Sequence, residues 1–221
     1  MLCEVGLFSA SALLLGVFPD VIVSSHQVAI MISSLLFIIP LSIGTGVSIR
    51  VAHSLGEGNM DAVNKVIRTG YSLVLLLALV TAGGVLLFRN YAPGIFTPDS
   101  EVAALASGLL LFCAIYQIPD ACNMVGTSIL RGYKDTLSLI VITFCSFWII
   151  ALPTGYLLGR TDYLVPHMGA SGFWIGFIVG LSVSSVFMGL RVRYTRKKTM
   201  REFKEGIIRQ NERQSLIDIG H

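Results

Sequence analysis

The sequence has 221 residues, of which 54% are hydrophobic and only 13% are charged, whereas a soluble domain usually has about 25% charged residues. This composition argues against a soluble domain. Basic and acidic side chains are nearly balanced, at 16 and 13, and we expect no nucleic-acid partner. Apolar runs long enough to cross a hydrocarbon core of ~30 Å as helices alternate with short polar clusters. The sequence therefore predicts an all-α integral membrane protein.

Six apolar segments have the length and composition of transmembrane helices. The first segment has no basic leading region and contains Glu4, so we expect a membrane span and not a cleavable signal peptide. Its abrupt beginning indicates that its first turns are missing. We expect a lobe over residues 1–190 and a basic cytoplasmic tail over 191–221. The predicted spans are 1–18, 25–49, 67–88, 101–129, 137–159 and 169–190.

Lysine and arginine are concentrated on one side of the predicted bundle. Fourteen of the 16 lie in or beside the connections 50–66 and 130–136 or in the C-terminal tail, whereas Arg89 and Arg160 lie on the other side. Positive residues favour the cytoplasmic side. We therefore expect both termini in the cytoplasm. Gly58 and Asn59 further predict a short helix that leads into the third span.

Two carboxylates lie deep inside predicted spans. Asp120 precedes Arg131 by 11 residues, or ~16 Å along a helix, which places it near the middle of the bilayer. Glu4 precedes Pro19 by 15 residues and lies ~22 Å from the outer end. A charge at the bilayer centre costs ~2.5–3.5 kcal/mol on insertion scales. No lysine or arginine lies deep in a span, so these residues predict a bound cation or a proton.

A stripe of oxygen-bearing side chains follows one face of the fourth predicted helix. Tyr116, Asp120, Asn123 and Thr127 recur at intervals of three and four residues, which places them on one helix face. We predict a cation or proton site at Glu4, Tyr116 and Asp120, with additional cation or substrate contacts at Asn123 and Thr127. The alternative is that Tyr116 and Asn123 form hydrogen bonds between helices.

Other polar residues give no indication of catalysis. His26 and His53 lie near span ends, where interfacial positions explain them. There is no nucleophile–base arrangement, phosphate loop or metal motif. We therefore expect neither an enzyme nor a cofactor, and no metal other than Na⁺ at Glu4 and Asp120.

Several short motifs occur in a fixed order along the chain and resemble one transporter family. They are Cys3-Glu4-Val5, Ser25-His26-Gln27-Val28-Ala29, Tyr116-Gln117-Ile118-Pro119-Asp120, Ile129-Leu130-Arg131-Gly132-Tyr133-Lys134-Asp135-Thr136 and Gly172-Phe173-Trp174-Ile175-Gly176. Over roughly residues 1–200, the chain resembles the C-terminal half of a multidrug and toxic compound extrusion (MATE) transporter of the NorM-like branch.

This resemblance implies a six-helix lobe that forms half of a twelve-helix, two-lobe transporter. Such transporters export organic cations and other amphipathic toxic compounds in exchange for Na⁺ or H⁺, and the family's cation-binding acids and tyrosine fall on Glu4, Tyr116 and Asp120. The implied partners are drug-like organic cations, membrane lipid and an N-terminal six-helix lobe from the same gene or a separate chain. The implied location is the plasma membrane, which is the inner membrane in bacteria.

Two alternatives stay open at the level of sequence. One is a truncated, non-transporting membrane protein or an interaction subunit. The other is half of a lipid-linked sugar flippase, although such a cavity should be richer in arginine and lysine than these spans are. The sequence does not distinguish Na⁺ from H⁺ coupling.

Overall fold

The computed structural model describes residues 2–161 and 168–219, with side chains described for 5–161 and 168–206. These residues form helices joined by short connections and contain no strand, which confirms the all-α prediction. The helices are α1 (Leu2–Leu15), α2 (Asp20–Gly56), α3 (Met60–Phe88), α4 (Pro93–Phe96), α5 (Ser100–Gly132), α6 (Thr136–Phe144), a π-helical segment (Cys145–Ala151), α7 (Leu152–Arg160) and α8 (Ala170–Ile219).

Five of the described helical stretches are long and apolar enough to cross a membrane, and they correspond to the second to sixth predicted spans. The first predicted span contains α1, which is apolar but has only 14 residues, about 21 Å of helix. The chain is therefore a multi-pass helical membrane protein with five full-length spans in its described part. Those five are Asp20–Gly56, Met60–Phe88, Ser100–Gly132, Thr136–Arg160 and Ala170–Gly206.

The turn between α2 and α3 shows how the chain reverses direction without a separate helix. Gly58 adopts a positive φ of 68°, which glycine tolerates without a steric penalty. The side chain of Asn59 then accepts a hydrogen bond from the Ala62 amide at 3.0 Å and caps α3. Since α3 continues from Met60 to Phe88, the predicted short helix is the first part of the third span itself.

Proline affects the fifth span differently from the others. Pro40 and Pro119 lie inside continuous helices, whereas Pro153 is the second residue of α7, which begins where the seven-residue π-helical segment ends. Proline has no N–H to donate and its ring crowds the preceding turn. The wider π-helical turn provides space at the position where the hydrogen-bonding pattern is already interrupted.

Helix α5 lies at the centre of the lobe and packs against α2, α3 and α8. Its buried residues belong to two hydrophobic clusters that succeed each other along the helix, the first ending at Tyr116 and the second beginning at Ala121. Asp120 lies at the boundary between them. The polar candidate site therefore occupies a narrow level between two apolar layers.

Helices α7 and α8 approach closely because both present glycines at their contact. A Cβ atom added to Gly176 would lie 2.6 Å from the Cα of Gly155. Helix α8 also continues past residue 190 without a break, so the predicted division between lobe and tail falls within one helix. Beyond that point, Phe203 of α8 lies against the turn at Gly58.

Candidate functional site

The carboxyl group of Asp120 lies inside the bundle. Asp120 is only 4% exposed and lines a cavity between α2, α3 and α5 of about 10 Å³, which has room for about one water molecule. Ser33 from α2, Thr81 from α3 and Gln117 from α5 contribute the other polar side chains of the cavity wall. The arrangement offers hydroxyl, amide and carboxylate oxygens within one small space.

Gln117 and Thr81 connect two helices across this cavity. The Thr81 hydroxyl donates a hydrogen bond to the side-chain carbonyl of Gln117 at 2.5 Å. The Gln117 amide nitrogen is buried without a hydrogen-bond partner among the described residues. A buried polar atom of this kind is normally satisfied by water or a ligand. Gln117 therefore contributes a buried N–H donor, as well as an acceptor, to the set of residues that line the cavity.

Sequence reasoning missed Ser33, Thr81 and Gln117. Gln117 was detectable in principle, because it precedes Asp120 by three residues and so lies on nearly the same helix face. Ser33 and Thr81 are hydroxyl residues in other spans, and only the packing of α2 and α3 against α5 brings them to the site.

Tyr116 lies one turn from Asp120 but in a different environment. Its ring is 3% exposed and makes edge-on contacts with Phe8 of α1 and Trp174 of α8, at centroid distances of 6.3 and 5.8 Å. Tyr116 is absent from the wall of the small cavity. The structure thus places Tyr116 and Asp120 on successive turns, with Tyr116 in an aromatic cluster between α1, α5 and α8.

Asn123 and Thr127 are both 8% exposed, and neither lines the cavity around Asp120. The side-chain carbonyl of Asn123 accepts a hydrogen bond from the hydroxyl of Ser184 in α8 at 2.8 Å. This is the interhelical bond that the sequence left open as an alternative for Asn123. The predicted stripe therefore divides between α8 and the cavity.

The side chain of Glu4 lies outside the described residues, and its backbone belongs to α1. Phe8 follows Glu4 by one helical turn and contacts Tyr116, which precedes Asp120 by one turn. The first and fourth spans of an alternating bundle run antiparallel. One turn towards the N-terminus of α1 and one turn towards the C-terminus of α5 therefore lead in the same direction from this contact. The backbone positions of Glu4 and Asp120 consequently come to similar depths.

The two histidines near span ends occupy opposite environments. His53 is exposed and lies 3.5 Å from a carboxylate oxygen of Glu57. His26, by contrast, is 0% exposed, and its ring centroid is 6.1 Å from that of Trp174. His26 is therefore packed between α2 and α8 and is not an exposed residue like His53.

The connection between α5 and α6 is joined to α8 by an ion pair outside the apolar part of the bundle. Arg191 donates through Nε to a carboxylate oxygen of Asp135 at 2.7 Å, and the Thr195 hydroxyl donates to the same oxygen at 3.2 Å. Burial alone would raise the pKa of Asp135, but these hydrogen bonds, one from Ser138 and the charge of Arg191 hold the pKa below its usual value.

The described residues contain no group of three or more potential metal ligands among His, Cys, Asp and Glu.

Comparison with known proteins agrees with this fold. The MatE family model matches residues 1–157. Multidrug resistance proteins MdtK of Yersinia enterocolitica (serotype O:8 / biotype 1B) and Yersinia pestis (strain Pestoides F) are each 44% identical to the chain over 195 residues. Each alignment covers 88% of this chain and 43% of the relative. The chain therefore spans less than half the length of these relatives.

Solved structures give the same result. A eukaryotic MATE transporter, AtDTX14, superimposes with a TM-score of 0.81 and 27% identity over 91% of this chain and 45% of its own length. The bent form of the Vibrio cholerae MATE transporter VcmN has a TM-score of 0.77 and 17% identity, over 88% and 43% of the two chains. Fold and site thus define a multi-pass helical membrane protein with the architecture of a transporter. The chain belongs to the MATE family.

Proposed function

We propose that this chain is the C-terminal six-helix lobe of a cation-coupled multidrug antiporter, which exports organic cations and other amphipathic compounds in exchange for Na⁺ or H⁺. The observation that carries the proposal is the almost fully buried carboxyl group of Asp120 in a small polar cavity between three helices. The similarity to multidrug resistance proteins supports the substrate class, and the coverage of 43% of their length supports a second lobe as partner.

The proposed coupling site comprises Asp120, Glu4 and Tyr116, with Asn123 and Thr127 as further contacts. A charged carboxylate this deep in a span is costly, and a bound cation or proton would offset that cost. Oxygens of Ser33, Thr81 and Gln117 beside Asp120 suit a hard cation such as Na⁺, which prefers oxygen ligands. The same carboxylate suits a proton, and the similar depths of Glu4 and Asp120 support their action as a pair.

Cation binding performs work only if it favours one arrangement of the protein over another. In the proposed cycle, a cation entering down its gradient binds Asp120 and Glu4 and stabilises the arrangement with lower affinity for the drug. Coupling between two ligands is reciprocal, so drug binding weakens cation binding by the same factor. A cavity between α2, α3 and α5 is well placed for this role, because an ion bound there contacts residues of three helices and so affects their relative positions.

The test uses a complete transporter that contains this lobe, because one lobe does not enclose a two-sided pathway. Asp120→Asn preserves size but cannot exchange a proton at neutral pH or supply a charge to Na⁺. We expect cation-driven drug efflux from proteoliposomes to fall at least tenfold, with smaller losses for Glu4→Gln and Tyr116→Phe. Glu101→Gln is the matched control, since Glu101 is an exposed acid at the start of the same helix.

Protein yield and elution behaviour in gel filtration separate loss of coupling from loss of folding. A neutralised structural acid should stabilise the fold and spare transport. Normal cation-dependent efflux by Asp120→Asn would show that Asp120 is a packing residue and that the proposed site is wrong.

We further propose that both termini face the cytoplasm and that the protein resides in the plasma membrane, the inner membrane if the source is bacterial. The support is the distribution of lysine and arginine between the two sides. Single cysteines introduced in 90–99 should react with an impermeant thiol reagent added outside intact cells, whereas cysteines in 131–136 should not. External labelling at 131–136 would reverse the orientation.

A further inference from the structure

A large groove separates α2 from α3 close to the turn that joins them. Its volume is about 860 Å³, within the range of ~300–1,000 Å³ that is common for small-ligand sites. One part of its wall is apolar, and the part nearer the turn carries charged side chains. The apolar wall includes Ile43, Val47, Ile49, Val66 and Leu73, and the charged part comprises Arg50, His53, Glu57 and Lys65.

The charged end of the groove has an excess of positive charge. Glu57 is the one acid of this wall, so its single negative charge faces the two positive charges of Arg50 and Lys65. The His53 ring lies 3.5 Å from the Glu57 carboxylate. Arg50 and Lys65 have no ion-pair partner within the part of the chain that the structure describes, and both are exposed. They come from different helices, so two unpaired cations flank one opening. Such an opening attracts an anion and repels the organic cations of the proposed transport cycle.

The wall therefore fits a molecule with an anionic end and a long apolar part. We propose that the groove between α2 and α3 binds an anionic phospholipid, with its phosphate between Arg50 and Lys65 and an acyl chain along the apolar wall. Arginine pairs with phosphate through two parallel hydrogen bonds. Basic pockets between transmembrane helices are typical sites for anionic lipid headgroups. This site is distinct from the cavity at Asp120.

Gly46 provides a way to test the apolar part of the groove without changing its charge. It lines the groove, and a Cβ atom added there meets no other atom within 4 Å. Gly46→Leu therefore places a side chain in the space proposed for the acyl chain. The variant should fold normally, because leucine is a better helix former than glycine.

The experiment measures binding of phosphatidylglycerol to the purified 221-residue chain in a neutral detergent by native mass spectrometry, with phosphatidylcholine of the same acyl chains as the zwitterionic comparison. We expect phosphatidylglycerol to bind at least tenfold more tightly than phosphatidylcholine. Arg50→Gln/Lys65→Gln should weaken phosphatidylglycerol binding at least tenfold and remove the preference. Gly46→Leu should weaken binding of both lipids by a similar factor.

The control is Lys198→Gln/Arg201→Gln, which removes two positive charges from the exposed continuation of α8, where each pairs with an acid four residues on. This variant should bind phosphatidylglycerol as the wild type does. Equal losses in the two double variants would reveal general attraction to a basic surface and overturn the proposal. Unchanged binding in Gly46→Leu, or displacement of phosphatidylglycerol by millimolar inorganic phosphate, would also overturn it, because the acyl chain would then lie elsewhere.

Discussion

The contact between α7 and α8 predicts a sharp difference between two chemically identical substitutions. A Cβ atom at Gly176 would lie 2.6 Å from the Cα and N of Gly155 and 2.7 Å from the carbonyl oxygen of Ala151. All of these are backbone atoms, so no side chain can rotate away. Since an ordinary contact begins at about 3.4 Å, Gly176→Ala forces the two helices apart by about 0.8 Å.

The magnitude follows from comparison with Gly189, another glycine of the same helix. An added Cβ at Gly189 meets nothing within 4 Å. Both substitutions gain the intrinsic helix preference of alanine over glycine, about 0.8–1.0 kcal/mol, so this gain cancels in the comparison. Overpacking of a close contact typically costs ~1–3 kcal/mol. We expect Gly176→Ala to be less stable than Gly189→Ala by this amount.

The assay is thermal unfolding of the two purified variants in the same detergent, followed by size-exclusion chromatography of the soluble fraction after heating. Gly176→Ala should lose its monodisperse peak at a lower temperature than the wild type, and Gly189→Ala at the same or a higher temperature. Equal midpoints for the two variants would refute the reasoning, because they would mean that α7 and α8 are not in backbone contact at Gly176.

Two other predictions concern hydrogen bonds to α8. Asp135→Asn should lower stability at pH 7 by about 0.5–1 kcal/mol, because Arg191 is more than a third exposed and solvent screens the pair, whereas Glu205→Gln should have little effect. Because the pKa of Asp135 is lowered in the folded state, the stabilisation is present above the unfolded pKa of about 3.9 and is lost as the pH falls through the folded pKa. Thermal melts of the wild type and Asp135→Asn at several pH values measure this change. A stability difference between the two proteins that stays the same in acid would contradict the prediction. Ser184→Ala removes the donor to Asn123 and should lower stability by about 1–3 kcal/mol. In the same thermal melts, its midpoint should be lower than that of the wild type, and an equal midpoint would contradict the prediction.

Hydropathy predicted the second to sixth spans because every residue of a membrane-spanning helix must suit the hydrocarbon. Apolar side chains are therefore needed along its length, and its backbone groups must pair within the helix. The position of Asp120 inside an apolar span, Ser100–Gly132, was predictable for the same reason. The length of a span beyond the membrane was less predictable: α2 continues to Gly56 and α8 to Ile219, since residues outside the apolar run can remain helical without a hydropathy signal.

Details of the candidate site depended on contacts between helices. The bond from Thr81 to Gln117 joins residues 36 positions apart, and no periodicity within α3 or α5 indicates that pairing. The sequence also grouped Tyr116, Asp120, Asn123 and Thr127 because they share one helix face. A face on a central helix is wide enough to contact several neighbours, however. Tyr116 meets α1 and α8, Asn123 meets α8, and Asp120 lines the cavity. The cation role of these residues and of Glu4 stays a prediction.

The uninterrupted course of α8 has a practical consequence. From Ala170 to Gly206 alone it extends about 55 Å, well beyond the ~30 Å of a hydrocarbon core, and Phe203 anchors its distal part at the α2–α3 turn. A soluble protein fused to α8 through a continuous helix would hold a fixed orientation relative to the bundle. It would serve as an alignment marker in electron microscopy, and a pair of spectroscopic labels placed on it would report the tilt of the lobe directly.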